Sequence, residues 1–373
     1  MGTSTSEKVF RDLVQTAGIT VNGNASYDIQ VRNSHFYQRV LAQGSLELGE
    51  SYMDGWWDCE QLDEFINRVL RADLPSHIKS NLSLLWHVLH ARLFNLQSKK
   101  RAFQVGERHY DIGNDLYEAM LDSRMNYTCA YWRGAKNLDQ AQENKLELVC
   151  KKIGLQSGMT VLELGCGFGA FAGYAAQKYG AHVTGVTVSK KQVEWATAKY
   201  KNLPVDIRLQ DYRSVRGQYD RVISIGIMEH VGYKNYRTYM QVVDRTLKPD
   251  GLAFIHTIGG TFSGAIADPW TVKYIFPNGS LPSMAQLTRA MEGLFDMEDW
   301  HNFGPDYDQT LLAWYANFAK AWPELKSHYD ERFYRMWRYY LLSAAGGFRA
   351  RHNQLWQMVL NRPRKDQPTC RYS

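Results

Sequence analysis

The chain of 373 residues contains no run of about eighteen or more apolar residues, so nothing in it reads as a bilayer-spanning helix. Met1 to Ser6 lacks the apolar core of a secretory signal. The same six residues match the amino-terminal myristoylation pattern, but a Ser/Thr-rich start is expected to be a flexible terminus. Cysteine is sparse: Cys59, Cys129, Cys150, Cys166 and Cys370 show no paired spacing and no CxxC. That pattern argues against a disulfide framework or a structural zinc site, and predicts a reduced, cytoplasmic protein without metal. Internal repeats and low-complexity tracts are also lacking, and acidic residues are in deficit. The net charge of +6 predicts an acidic partner, with nucleic acid and anionic membrane both open. The length suffices for two domains and a large core.

Aromatic residues, in contrast, are plentiful, with 11 Trp and 23 Tyr. They include Tyr127, Tyr131, Trp132, Trp270, Tyr274, Phe276, Trp314, Tyr315 and a cluster from Phe333 to Tyr340. Most are expected in the core, and some as walls of an apolar tunnel for a long chain.

The most informative stretch is Val161-Leu-Glu-Leu-Gly-Cys-Gly-Phe-Gly-Ala170. An apolar run ends in an acid, three glycines alternate through a turn, and a helix-like run follows from Phe171 to Tyr179. Strand, glycine turn and helix is how an α/β fold lays bare backbone against a nucleotide-like ligand. Gly165, Gly167 and Gly169 permit positive φ and close approach. Glu163 would repel a pyrophosphate at the helix N-terminus but suits a cationic amine. The second strand, about 182–186, runs into Thr187-Val-Ser189, with no carboxylate for a ribose 2′-OH. A ligand with an amino acid, a ribose and an adenine but no phosphate fits: S-adenosylmethionine. A third strand over 204–209 leads to Gln210-Asp211-Tyr212, where Asp211 is placed to accept from an adenine amino group and Tyr212 to flank the ring. A fourth strand, 219–225, delivers Glu229, and a fifth, 251–258, delivers His256. Ligands in open α/β sheets sit outside the carboxyl ends of the strands, so these two are expected to converge beside the cofactor.

The expected organisation has three parts. Residues 1–88 form a smaller, mainly helical N-terminal domain, with helical patterns over 9–17 and 62–70; Gly44 to Gly49 and Asp54 to Asp58 punctuate it. Residues 89–106 form a connector with Arg92, Lys99, Lys100 and Arg101, read either as a solvated linker or as attraction to acidic lipid headgroups. Residues 107–373 form the catalytic α/β unit, interrupted by a loop-rich insertion over 259–284. Helices are expected over 310–345, and a final strand over 354–360.

Several further motifs carry a resemblance over nearly the whole length. They are Gly49-Glu-Ser-Tyr-Met-Asp-Gly-Trp-Trp57, Leu93-Phe-Asn-Leu-Gln-Ser-Lys-Lys-Arg101, His109-Tyr-Asp-Ile-Gly-Asn114, Tyr127-Thr-Cys-Ala-Tyr-Trp132, Met228-Glu-His-Val-Gly232, His256-Thr-Ile-Gly259 and Lys273-Tyr-Ile-Phe-Pro-Asn-Gly279. With the glycine turn, they make the chain resemble the bacterial cyclopropane-fatty-acyl-phospholipid synthases. The amino-terminal segment distinguishes it from mycolic-acid cyclopropane synthases, which resemble only the catalytic part. The resemblance implies a Rossmann-like class I methyltransferase sheet of α/β class with inserted loops and helices. It implies methylene transfer from S-adenosylmethionine to a cis double bond of unsaturated phospholipid acyl chains, a bound bicarbonate and a homodimer. It also implies a protein peripherally associated with the inner face of the membrane, an N-terminal domain that engages lipid or the dimer partner, and no nucleic-acid partner.

By that resemblance, Cys129, Glu229, His256, Tyr307 and the backbone at Ile258 line the bicarbonate. Tyr127, Thr128, Gly165, Thr187, Gln192, Gln210 and Asp211 contact the cofactor. Thr128 stands where family members often carry Ser, which keeps the hydroxyl. Ala344 stands where some members carry Cys, so a thiol nucleophile is missing there.

The chemistry is consistent. An alkene is a poor nucleophile and needs the sulfonium methyl held close and in line. Its attack leaves a carbocation, which a dry pocket with π faces tolerates and water destroys. A methyl proton must then leave before the ring closes, and a bicarbonate oriented by Glu229 and His256 can take it. Taken singly, Cys129 also reads as a small buried hydrophobe, His256 as a core histidine and Glu229 as a loop acid. Two other function classes stand beside this one: a methyltransferase leaving a methyl-branched product, and a non-enzymatic membrane-surface protein with a relic nucleotide fold.

Overall fold

The computed structural model describes residues 4–73, 113–264 and 268–372. The basic connector with Arg92, Lys99, Lys100 and Arg101 lies outside the described residues. The chain divides into two compact units. One comprises Leu96–Ala265, Asn278–Asp306 and Gln354–Ser373; the other comprises Met1–Asn95, Ile266–Pro277 and Tyr307–Asn353.

The first unit is built on a seven-stranded sheet. Its strands are β1 (Thr160–Leu164), β2 (His182–Thr187), β3 (Val205–Leu209), β4 (Tyr219–Ile225), β5 (Leu247–Gly260), β6 (Asp296–Asn302) and β7 (Asn353–Asn361). The order across the sheet is β3-β2-β1-β4-β5-β7-β6. β1 pairs in parallel with both β2 and β4, β2 with β3 and β4 with β5, whereas β6 and β7 are antiparallel. Central strands covered on both faces read as continuous apolar runs. The two-residue alternation of a strand sends neighbours to opposite layers. Leu162, Leu164, Val222, Ala253 and Ile255 join Met240, Val243 and Leu287 in one core cluster. Val161, Ile223, Ile225 and Phe254 join Leu146, Val149, Phe171 and Ala175 in another. The register of β5 on β4 slips between Tyr219 and Arg221, which leaves Lys248 to Gly251 as a bulge.

Five strands and the last one follow the sequence expectation. β6 does not: Asp-Met-Glu-Asp-Trp-His-Asn offers no apolar run, because an edge strand needs to bury little.

The second unit is mainly helical, and its make-up differs from a continuous domain over 1–88. Helices Thr5–Gln15, His35–Gln43, Ser45–Met53 and Leu62–Arg71 are joined by a two-stranded ribbon, Gln30–Val31 with Trp57–Asp58. Pro269–Tyr274 and Glu331–Arg349 complete it, together with the part of helix Pro305–Leu325 from Tyr307 onward. Long-range pairs hold these stretches together. Arg335 donates to the carbonyls of Tyr52 and Trp57, and Arg338 to those of Cys59 and Glu60. Arg349 pairs with Asp63, Glu64 and Asp308. Gly49, expected only to punctuate the chain, lies inside a helix because the Trp270 indole packs onto it; any Cβ there would collide with the ring. The insertion after β5 is likewise more ordered than expected, since Pro269–Tyr274 is helical with Asp268 as its cap.

Candidate active site at the carboxyl edge of the sheet

β1 ends at Glu163-Leu164, and the next residues turn sharply. Gly165, Gly167 and Gly169 have φ of +73°, +55° and +73°, a region in which side chains are strained. The amides of Gly165 and Cys166 both donate to Val186 O at 2.9 Å, which ties the turn to β2. A Cβ on Gly165 would run into Ile227, whereas one on Gly167 would meet nothing within 4 Å. Gly167 thus presents bare backbone to the pocket that opens here. Gly169 has a different role: it caps helix Ala170–Tyr179, and a Cβ on it would lie 3.2 Å from the Tyr200 ring. It is outside the pocket wall.

Nine of the ten residues expected around the cofactor line that one pocket: Tyr127, Thr128, Glu163, Gly165, Gly167, Thr187, Gln192, Gln210 and Asp211. The Thr187 hydroxyl donates to Gln192 Oε1 at 2.7 Å, which leaves the amide nitrogen as the other polar end of that side chain. Ser189 caps the helix that carries Gln192. Gln210 N donates to Thr187 O at 2.9 Å, joining the loops after β2 and β3. Asp211 is gripped by Arg213, whose Nε and terminal nitrogen donate to its two oxygens at 2.9 and 2.6 Å. A carboxylate so held keeps a fixed orientation and still has lone pairs for another donor.

The pocket also contains a residue that the sequence reading missed. Lys145, only 1% exposed, projects from helix Leu138–Lys152 and donates to Asn126 Oδ1 at 2.9 Å and Thr128 Oγ1 at 3.0 Å. Asn126 is itself fixed by Asp122, which accepts from its backbone amide at 2.7 Å and its side-chain amide at 2.8 Å. Burial brings the Lys145 pKa down to about 8, against the opposing pull of Asp122, Cys129 and Glu163. Burial raises Glu163 to about 8, with Lys145 opposing, and Glu163 Oε2 has no hydrogen-bond partner among the described residues. Lysine within the run Ala141, Gln142, Lys145, Leu146, Val149 sits on the buried stripe of its helix. That spacing was the available signal.

Beside the pocket, three of the residues expected to line the bicarbonate, Glu229, His256 and Ile258, lie on β5 or just beyond β4. Ile225 is in register with His256, and Gly226 N donates to His256 O at 2.9 Å. Gly226 needs its missing side chain, since a Cβ would lie 2.7 Å from the Thr128 methyl; Thr128 precedes Cys129. Glu229 lies on the short helix Met228–Val231. Its Oε1 accepts from Ile258 N at 2.6 Å, while Oε2 is buried without a partner among the described residues. Burial raises the Glu229 pKa to about 7, the Ile258 amide opposing. His256 has Gln357 Nε2 at 3.3 Å from its Nδ1, and its Nε2 is buried without a partner among the described residues. Burial, reinforced by Lys145 and Lys152, holds His256 well below its ordinary pKa and hence neutral. The Cys129 thiol, fully buried, donates to Ala130 O at 3.2 Å. The Ile258 amide, expected to face an anion, is engaged by Glu229 instead. Tyr307 belongs to the helical unit, where its ring packs on Phe348 with centroids 4.6 Å apart. Among the described residues, no group of three or more His, Cys, Asp or Glu is arranged to hold a metal ion. No helix among them is long and apolar enough to cross a membrane.

A parallel sheet in this order, ending in one antiparallel pair, with a glycine turn after its central strand, defines the class I S-adenosylmethionine-dependent methyltransferase fold. Solved structures agree. The cyclopropane synthase MmaA2 from Mycobacterium tuberculosis superposes with a TM-score of 0.66 at 28% identity, over 69% of this chain and 97% of that one. The mycolic acid cyclopropane synthase CmaA1, complexed with SAH and CTAB, gives 0.64 at 30% identity over the same shares. The match can be taken further, because the model of the mycolic acid cyclopropane synthetase family covers residues 97–358: the chain belongs to that family and is an enzyme of the methyltransferase class. The likeness extends beyond the family model in the cyclopropane-fatty-acyl-phospholipid synthase of Escherichia coli K12, 54% identical over 359 residues, 95% of this chain and 93% of that protein.

Proposed function

We propose that this enzyme transfers a methylene group from S-adenosylmethionine to a cis double bond of unsaturated phospholipid acyl chains, closing a cyclopropane ring. The observation that carries the reading is the placement of Glu229 and His256, both with an unpartnered buried polar atom, at the strand ends beside the glycine-turn pocket. The extent of the likeness to the Escherichia coli synthase supports the choice of substrate.

Bound in the pocket, S-adenosylmethionine supplies an electrophilic methyl. The residues of the chain hold and shield it: Gly167 admits close approach, and Gln192 and Asp211 offer a donor and an acceptor. The alkene's π electrons form a bond to the methyl carbon, and the sulfur keeps the pair of the bond that breaks. One C–H proton then leaves, and its electrons close the ring. Buried Glu229, titrating near neutrality, is suited to accepting or relaying that proton. The two orphaned atoms, Glu229 Oε2 and His256 Nε2, fit a small anion with a proton of its own, such as bicarbonate; Cys129 and Ile258 have other partners here. The bicarbonate, peripheral attachment to the inner face of the membrane and a homodimer, with the N-terminal segment engaging lipid or partner, belong to the same proposal. The net charge of +6 and the connector at Arg92, Lys99, Lys100 and Arg101 suit an anionic surface.

The test is incubation of the protein with labelled S-adenosylmethionine and vesicles of unsaturated anionic phospholipid, followed by acyl-chain analysis. Label in a saturated ring is the expected outcome. Label in a chain that keeps a double bond would make the enzyme a methyl-branching transferase, and no label in lipid would overturn the reading.

A further inference from the structure

Among the described residues, Lys145 is the one lysine side chain in the wall of the glycine-turn pocket. It is buried to 1% exposure, yet among the described residues its charge is not spent on a salt bridge within hydrogen-bond reach; it donates to two neutral oxygens, Asn126 Oδ1 and Thr128 Oγ1. Burying an ammonium is costly unless something nearby uses it. The orientation of the network is determined. Asp122 accepts from the Asn126 side-chain nitrogen, so the carbonyl end of that amide must face Lys145. A lysine can only donate, so Thr128 Oγ1 must accept from it. The Thr128 proton is thereby left to donate to something else, and Thr128 lines the pocket. On the same wall, Glu163 has an unpartnered, acceptor oxygen.

We propose that Lys145 is a positioning residue for the amino-acid end of the cofactor: it turns the Thr128 hydroxyl into a donor for the ligand's α-carboxylate, while Glu163 accepts from its α-ammonium. The Asp122–Asn126–Lys145–Thr128 chain makes the acceptance of a zwitterion a property of the folded pocket rather than of the glycine turn alone. This rests on the reading of the pocket as the S-adenosylmethionine site.

Two probes separate the possibilities. S-adenosylhomocysteine carries the amino-acid end, and 5′-methylthioadenosine lacks it but keeps the adenosine. In calorimetric titrations, Lys145→Met is expected to weaken S-adenosylhomocysteine binding about tenfold or more, the scale of a hydrogen bond to a charged group. Binding of 5′-methylthioadenosine should stay within about twofold, because no contact to the adenosine is altered. Thr128→Val should show the same split, Thr128→Ser should bind like the native protein, and the Lys145→Met/Thr128→Val pair should lose little more than either alone, as members of one network do. If Lys145→Met does not fold, the Thr128 series carries the test. Equal losses for both probes would reduce Lys145 to a structural role, and no loss for either would overturn the inference. Failure of the native protein to bind S-adenosylhomocysteine would instead overturn the reading of the pocket.

Discussion

The backbone amide of Ile258 donates a 2.6 Å hydrogen bond to Glu229 Oε1, and the second oxygen of that carboxylate is buried with no partner among the described residues. One oxygen aims the side chain, and the other is the one that the proposed function assigns to proton transfer. The arrangement depends on two adjacent parallel strands: β4 leads to Glu229, and β5 carries Ile258 two residues past His256. The amides of Ile258 and Glu229 and the side chain of Thr257 favour the charged form but do not compensate for burial, so the Glu229 pKa lies at about 7 rather than in the usual carboxylate range.

Glu229→Gln should therefore lower turnover by about 10²–10⁴-fold, the range of general-base effects. Affinity for S-adenosylhomocysteine should barely change, since Glu229 does not line the pocket wall. The carboxylate is the competent form, so activity of the native enzyme should rise with pH through a limb near 7. That limb should vanish in the variant. A pH–rate profile with the same limb in both proteins would assign it to another group.

The same burial has a thermodynamic consequence of opposite sense. A carboxyl whose pKa is higher folded than unfolded binds its proton more tightly in the folded state, so stability declines as pH rises from about 4.5 to about 7 and then levels off. At about 1.4 kcal/mol per pH unit, that displacement is worth about 3 kcal/mol at most. Urea denaturation should find Glu229→Gln equal to the native protein at pH 4, below both values, and more stable than it at pH 8. A variant less stable at pH 8 would show that the charged form is better accommodated than its surroundings suggest.

Gly167→Val should abolish binding of the cofactor. Its Cβ would meet no protein atom within 4 Å but would occupy the bare approach to the pocket, and a side chain is strained at the φ of +55° found there. Calorimetry on the folded variant reads the effect directly; unchanged affinity would remove the glycine turn from the ligand site.

Carbonate removal tests the anion. Turnover in degassed, carbonate-free buffer should fall and return when bicarbonate is restored. Full activity in a preparation shown to contain no bound ion would leave Glu229 or His256 as the direct base, each having a buried polar atom without a partner among the described residues.

What was legible in the sequence is what short-range pattern dictates. The run Val161 to Leu164 must be a buried strand, three alternating glycines must turn, and Glu163 before them is expected to favour a cationic amine. Strand order then delivers Glu229 and His256 to one edge, because parallel strands end on the same side of a sheet. Strand β6 escaped because an edge strand carries little hydrophobic signature. The joining of Pro269–Tyr274 and Glu331–Arg349 to the amino-terminal helices in one unit escaped because Arg335, Arg338 and Arg349 reach the amino-terminal segment across more than 270 residues of chain, a pairing that no spacing rule encodes. Only the tertiary structure decided the rest of the site. Lys145 in sequence is one lysine on a helix that also carries Lys151 and Lys152. It becomes part of a ligand pocket because the packing of that helix turns it inward, next to Thr128 and Glu163. There, in a medium with little water, the position of each charge and hydroxyl is set by neighbours brought together from distant parts of the chain.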